Sequence, residues 1–212
     1  MSREGARSTA TRRRLRDAAI ELVVERGYQA VTVEEIAERA GVTRATFYRH
    51  HRDKDRLLAD AVDEISDTVL ERAAGATTHP LDLDGIRLRL LFEHARHERE
   101  LFRLILRGEA DGLPLRTLTE RVIDVARVSH AARVARTGHQ PRVDPELLAR
   151  MAAGEVLAVL GWWLELDPAP DATTVVDQLR ATSSRGRIWA GGGDPAHVPV
   201  TDRSVTDLEE PA

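Results

Sequence analysis

Apolar residues recur along most of the chain with the 3.6-residue period of an amphipathic helix, and few segments alternate with period 2. Between Thr9 and Arg26 one stripe holds Leu15, Ala18, Ala19, Leu22 and Val23, and Gly27 stops it as a C-terminal cap would. Thr32-Val33-Glu34-Glu35 then opens a second helix as a capping box, with Thr32 at N-cap and Glu35 at N3. Its inward side is Val33, Ile36, Ala37 and Ala40, and Gly41 ends it. Thr43 caps a third helix reaching about His50. Asp53 caps a fourth, which turns Leu57, Leu58, Ala61, Val62, Ile65 and Val69 inward.

The segment from Ala74 to Pro80 reads as a loop, and helical pattern resumes from about Asp82 to Glu109 with a break near His97–Glu100. "ADGLP" is a turn, after which Leu115 to Thr137 is helical again. Past "GHQPRVDP", Asp144 caps a long helix to Leu166, and a last helix runs from about Ala172 to Thr182. The expectation is an all-α protein of about nine helices. It divides into a disordered basic arm (1–8), a helix-turn-helix domain (9–55), a C-terminal ligand-binding and dimerisation domain (56–184) and a disordered tail (185–212).

"GVTRATFYRHHRDK", Gly41 to Lys54, carries four Arg or Lys, two His and two aromatics, too much charge for a buried helix. A helix over Thr32–Ala40, a turn at Gly41-Val42 and a helix over Thr43–His50 is the layout of a helix-turn-helix, whose second helix enters the DNA major groove. Arg44 suits guanine O6 and N7, Thr46 offers a hydroxyl or methyl, and Ala45 permits close approach. Tyr48, Arg49 and His50 can reach phosphates, as can Thr32 and Thr43 at the two helix starts and Lys54 in the first turn of the fourth helix. Phe47 faces inward as the anchor.

Charge sharpens this picture. The net charge of −4 is the sum of +4 over residues 1–54 and −8 over the remainder, so a basic end meets a polyanion while an acidic body does not. The start "SREGARSTATRRRLR" can add phosphate or minor-groove contacts. There are no cysteines, which excludes disulfides, thiolate metal sites and a Cys nucleophile. No apolar run is expected to reach the roughly 20 residues of a membrane span, so the protein is expected to be soluble and cytoplasmic, with no membrane partner.

"AAIELVVERGYQAVTVEEIAERAGVTRATFYRHHRDKDRLL", Ala18 to Leu58, resembles the N-terminal domain of the TetR family of transcriptional regulators. The matching elements are Gly27-Tyr28, Thr32, Ile36-Ala37, Ala40-Gly41-Val42, Thr46, Tyr48, Lys54 and Leu57, in order and spacing. "HARHERELFRLILRGE" and "GEVLAVLGWWLE" are similar to C-terminal segments of the family. Two positions depart from it. His51 stands where a large apolar residue is usual, and Val31 where a second Thr is frequent. The resemblance implies a homodimer paired through its last two helices, a small-molecule effector held by the other C-terminal helices, and release of a palindromic DNA operator when the effector binds. Most members are repressors.

Other candidates weigh less. His94 and His97 share a helix face but sit in a charged, solvated stretch, so no metal site is expected; "DLDG" at Asp82–Gly85 lacks the rest of a calcium loop. No Gly-rich phosphate loop, GxSxG elbow or HExxH is present, so neither an enzyme nor a cofactor is expected. Between Leu147 and Leu166 the charged residues are only Arg150, Glu155 and Glu165, so that helix must be covered on most sides. Leu148, Met151, Glu155, Val159 and Trp162 form a stripe that is core, dimer contact or, through Glu155 and Trp162, the wall of a ligand cavity close to the DNA-reading head. Two rivals stand beside the effector-controlled regulator: a DNA-binding regulator without an effector, and a small-molecule-binding helical protein without specific DNA reading.

Overall fold

A computed structural model describes residues 3–76, 80–110, 112–138 and 140–185. Among them are nine α-helices and no strands: α1 (Arg3–Arg26), α2 (Val33–Arg39), α3 (Arg44–His50), α4 (Lys54–Ala76), α5 (Pro80–His97), α6 (Arg99–Leu106), α7 (Leu113–Thr137), α8 (Pro145–Glu165) and α9 (Ala172–Arg185). A 3-10 turn, Tyr28–Ala30, joins α1 to α2.

Most boundaries fall where local chemistry stops a helix. Gly27, Gly41, Gly112 and Gly138 all adopt positive φ at the turns that follow or precede helices, a conformation open to glycine at little cost. Asp144 accepts the backbone N–H groups of Glu146 and Leu147, with Pro145 behind it as the first residue of α8. The break expected near His97–Glu100 is at Glu98, where α5 gives way to α6.

One expectation is corrected. Residues 3–8 are helical and continuous with α1, not a disordered arm, because Arg, Ala and Ser between Gly5 and Leu15 offer nothing that halts helix propagation. The expected tail beyond Arg185 lies outside the described residues.

α1, α2 and α3 enclose a small core of Leu15, Ala18, Ala19, Leu22, Ile36, Ala37, Ala40 and Phe47, closed from below by Leu57 and Leu58 of α4. α4 continues into the body, packing on α5 and α7, while α8 lies against α7 and α6, and α9 against α5 and α8. Arg12 of α1 pairs with Glu64 of α4 at 2.9 Å, and Arg16 with Glu98 at 3.2 Å, the latter two both largely buried. These pairs tie the three-helix head to the body.

α8 is long and apolar enough to cross a membrane by length and composition, contrary to the expectation that no run reaches that length. Its inner face supplies a different reason for that composition. Ala149, Ala153, Val156, Leu160, Trp163 and Leu164 are buried, and Trp163 donates its indole N–H to the Pro170 carbonyl at 2.8 Å while packing on Phe92. Arg99 caps the far end by donating to the Leu164 and Leu166 carbonyls.

Candidate nucleic-acid interface

α2 starts at the capping box expected from sequence. The Thr32 hydroxyl accepts from the Glu35 N–H, and the Glu35 carboxylate accepts the Thr32 backbone N–H at 2.9 Å. Arg26 also holds Glu35, at 2.8 Å. The Arg26 guanidinium and the two Thr32 donors draw the Glu35 carboxyl down to about 2. Its folded value is depressed, so the stabilisation it brings is complete above an unfolded value near 4.5 and is lost as pH falls through about 2. Unfolding midpoints recorded between pH 5 and pH 2 are therefore expected to fall less steeply in Glu35→Gln than in the parent protein.

α3 follows after the Gly41 turn. Thr43 accepts the Thr46 N–H at 3.1 Å, fixing the first turn, and the two hydroxyls lie 3.0 Å apart. Phe47 is fully buried, so the helix cannot roll about its axis without exposing that ring. With Phe47 inward, Thr43, Arg44, Ala45, Tyr48 and Arg49 are exposed, and Thr46 and His50 are half-buried at the edge. The Arg44 guanidinium lies 5.4 Å from the centre of the Tyr48 ring and pairs with Glu34 of α2 at 2.7 Å, which holds it extended beside the helix. The structure thus brings Thr32, Thr43, Arg44, Ala45, Thr46, Tyr48, Arg49 and His50 to the outer side of one two-helix unit.

Lys54 has another task. Its ammonium donates to the Tyr28 carbonyl at 2.8 Å and the Val31 carbonyl at 2.9 Å, and it sits 4.1 Å from the centre of the Tyr28 ring. Tyr28 in turn donates its hydroxyl to Asp55. Lys54 therefore staples the start of α4 to the turn that leads into α2, and two of its three N–H donors are used there.

His51 is buried at the end of α3, 5.9 Å from the Phe47 ring centre. Its Nδ1 lies 2.8 Å from Asp60, whose other oxygen pairs with Arg56. The apolar residue usual at this position is replaced by an imidazole whose packing includes its own counter-group on α4. Sequence periodicity gives no signal for that Asp60 partner, because only the α3–α4 crossing places it there.

The two residues offered for a ligand cavity are not brought together. Glu155 is half-buried and accepts from Ser183 of α9 at 2.6 Å. Trp162 is 56% exposed and lines a groove of about 230 Å³ with Arg103, Leu106, Arg107 and Glu165. Arg107, the residue that caps the end of α6, and Arg103 within it grip Glu165 at 2.8 and 2.7 Å, and the two guanidinium groups hold its carboxyl below the usual range.

A three-helix head with an outward-facing recognition helix, joined by one long helix to an all-helical body, is the architecture of a helix-turn-helix transcriptional regulator. A family model described as bacterial regulatory proteins, tetR family, matches residues 15–61. The HTH-type transcriptional repressor Rv3405c of Mycobacterium tuberculosis is 32% identical over 194 residues, covering 91% of this chain and 86% of its own length. Two solved structures share the fold. One is a TetR-family regulator from Syntrophomonas wolfei (TM-score 0.70, 15% identity, 82% of this chain and 93% of that one). The other is FadR of Thermus thermophilus, solved with lauroyl-CoA (TM-score 0.61, 22% identity, 83% of this chain and 94% of that one). The chain belongs to the TetR family of bacterial transcriptional regulators, which are DNA-binding proteins and not enzymes.

Proposed function

We propose that the protein is a homodimeric repressor that binds an inverted-repeat operator and leaves it when a small molecule occupies the body. The observation that carries the DNA half is the single buried ring of Phe47, which turns Arg44, Ala45, Tyr48 and Arg49 outward together. In this reading Arg44 leaves Glu34 to read a base edge, and Thr46 and Ala45 set the closeness of approach. Thr32, Thr43, Tyr48, Arg49 and His50 hold phosphates, and the basic first turns of α1 add salt-dependent affinity. Lys54 supports the interface by holding the α2 entry, with one N–H to spare for a phosphate. The head spans about residues 9–55 and the body about 56–184.

The repressor half is supported by the name of Rv3405c, and the effector half by FadR, which was solved with an acyl-CoA. Trp162, expected from sequence as core, dimer contact or cavity wall, is read here as a subunit contact, and its exposure beside Leu147 and Met151 on α8 supports that reading. Glu155 then braces α8 against α9.

Site selection from random DNA with the full chain is expected to return a dyad, since an isologous dimer presents two recognition helices related by twofold symmetry. A selected site without a dyad overturns the reading. On that site, Arg44→Ala is expected to cost about 1–3 kcal/mol and to relax preference at one or two positions per half-site. A uniform loss across all sequences assigns Arg44 to phosphate instead.

A further inference from the structure

A cavity of about 410 Å³ lies between the end of α4, the start of α5 and one face of α9. Ala76 closes it from α4; Gly85, Ile86 and Arg89 line it from α5; and Thr173, Val176, Asp177 and Arg180 line it from α9. It is at the far end of α4 from the head, roughly 33 Å from Lys54 along a helix rising 1.5 Å per residue. Trp162 and Glu155 take no part in it.

Two arginines line it from facing helices, and neither Arg89 nor Arg180 pairs with an acid among the described residues. Elsewhere in the body, Arg103, Arg107, Arg121 and Arg127 are instead held by carboxylates. The Arg180 guanidinium lies against the backbone of α5 at Gly85, where an added Cβ would stand 2.6 Å from its Nη1 and 2.8 Å from its Cζ. Only glycine leaves room for that placement. Among the described residues, the same walls carry apolar Ile86, Val176 and Ala76, a Thr173 hydroxyl and a single acid, Asp177.

We infer that this cavity binds a small organic monocarboxylate, its carboxylate taken by Arg89 and Arg180 and its apolar body laid against Ile86 and Val176. The guanidinium fork matches a carboxylate in bidentate geometry. Two cations against one aspartate balance one negative charge, so a phosphate dianion is disfavoured. The volume is at the lower end of the range for small-molecule sites, which sets the size at one ring or a short chain. The inference does not depend on the effector reading above, because it concerns binding alone.

The test is thermal unfolding of the full chain with benzoate, hexanoate, benzamide and inorganic phosphate, each against sodium chloride at equal ionic strength. At about a hundredfold excess over Kd, a ligand of the native state raises the midpoint of a domain this size by roughly 5–10 °C. Benzoate or hexanoate is expected to do so, and benzamide and phosphate are not. Arg180→Gln, on the exposed side of α9, is expected to keep the ligand-free midpoint and to weaken carboxylate binding about tenfold or more. Gly85→Ala is the second variant. It suits the helix better than glycine and meets only the tip of a flexible side chain, so the fold should hold while Arg180 is pushed aside and binding falls. The inference is overturned if neither carboxylate stabilises the protein, if benzamide does so equally, if phosphate alone does so, or if both variants keep the parent response.

Discussion

Trp162→Arg is expected to yield a monomer at micromolar concentration and to lower operator affinity by about a hundredfold or more. Leu147, Met151 and Trp162 are 50%, 49% and 56% exposed on one side of α8, with exposed Gly154 and Ala158 between them. Large apolar groups interspersed with small ones let a second helix approach closely, and a stripe of this length left in water marks an interface. An arginine in this stripe at position 162 would have to be buried without a partner, at a cost of several kcal/mol. Affinity then collapses because each head loses the high effective concentration that its linked twin provides at the second half-site. The inner face of α8, with Leu160, Trp163 and Leu164, is untouched, so helical content should not change. Sedimentation velocity beside an operator titration checks both halves. A variant that stays dimeric but no longer responds to an effector would move Trp162 from the subunit contact to a ligand-cavity wall.

Phe47→Ala is expected to remove DNA binding by a different route. The ring is fully buried among the residues that join α3 to α1, α2 and α4, and truncating a buried Phe costs about 3–5 kcal/mol. The head core is small, so a loss of that size is comparable with its whole stability. Phe92, Phe102, Leu160 and Trp163 lie at the body end of the same continuous core, and the body is expected to remain folded and dimeric. Limited proteolysis is expected to cut the variant within residues 27–53 while leaving α5 to α9 intact. Operator affinity within a few-fold of the parent would mean that α3 is held by something other than this ring.

Much of the head was legible because its signals are local. The capping box at Thr32 and Glu35, the Thr43 cap and the Gly27 and Gly41 stops each act within four residues, so the helices they bound follow from neighbouring side chains. The inward side of α3 was legible for a related reason: one large apolar residue, Phe47, stands among polar ones. α8 offered no such contrast. It is apolar nearly all round, so the pattern could not tell which of the adjacent Trp162 and Trp163 is core, and they face opposite environments.

What the sequence alone determined is therefore the set of helices, those of their ends that a cap or glycine marks, and the polar face of α3, all products of interactions that span a turn or less. The tertiary structure decided the rest. Lys54 reads from sequence only as a phosphate contact, and it is the fold that brings the Tyr28 and Val31 carbonyls, 26 and 23 residues away, to its ammonium. His51 finds Asp60 only across the α3–α4 crossing, and Glu155 finds Ser183 only where α9 returns along α8. Gly85 and Arg180 are 95 positions apart, and nothing in either neighbourhood announces that one makes room for the other. Partners brought together by helix packing leave no periodic trace in the chain, because the 3.6-residue repeat records which side of a helix is covered and not what covers it.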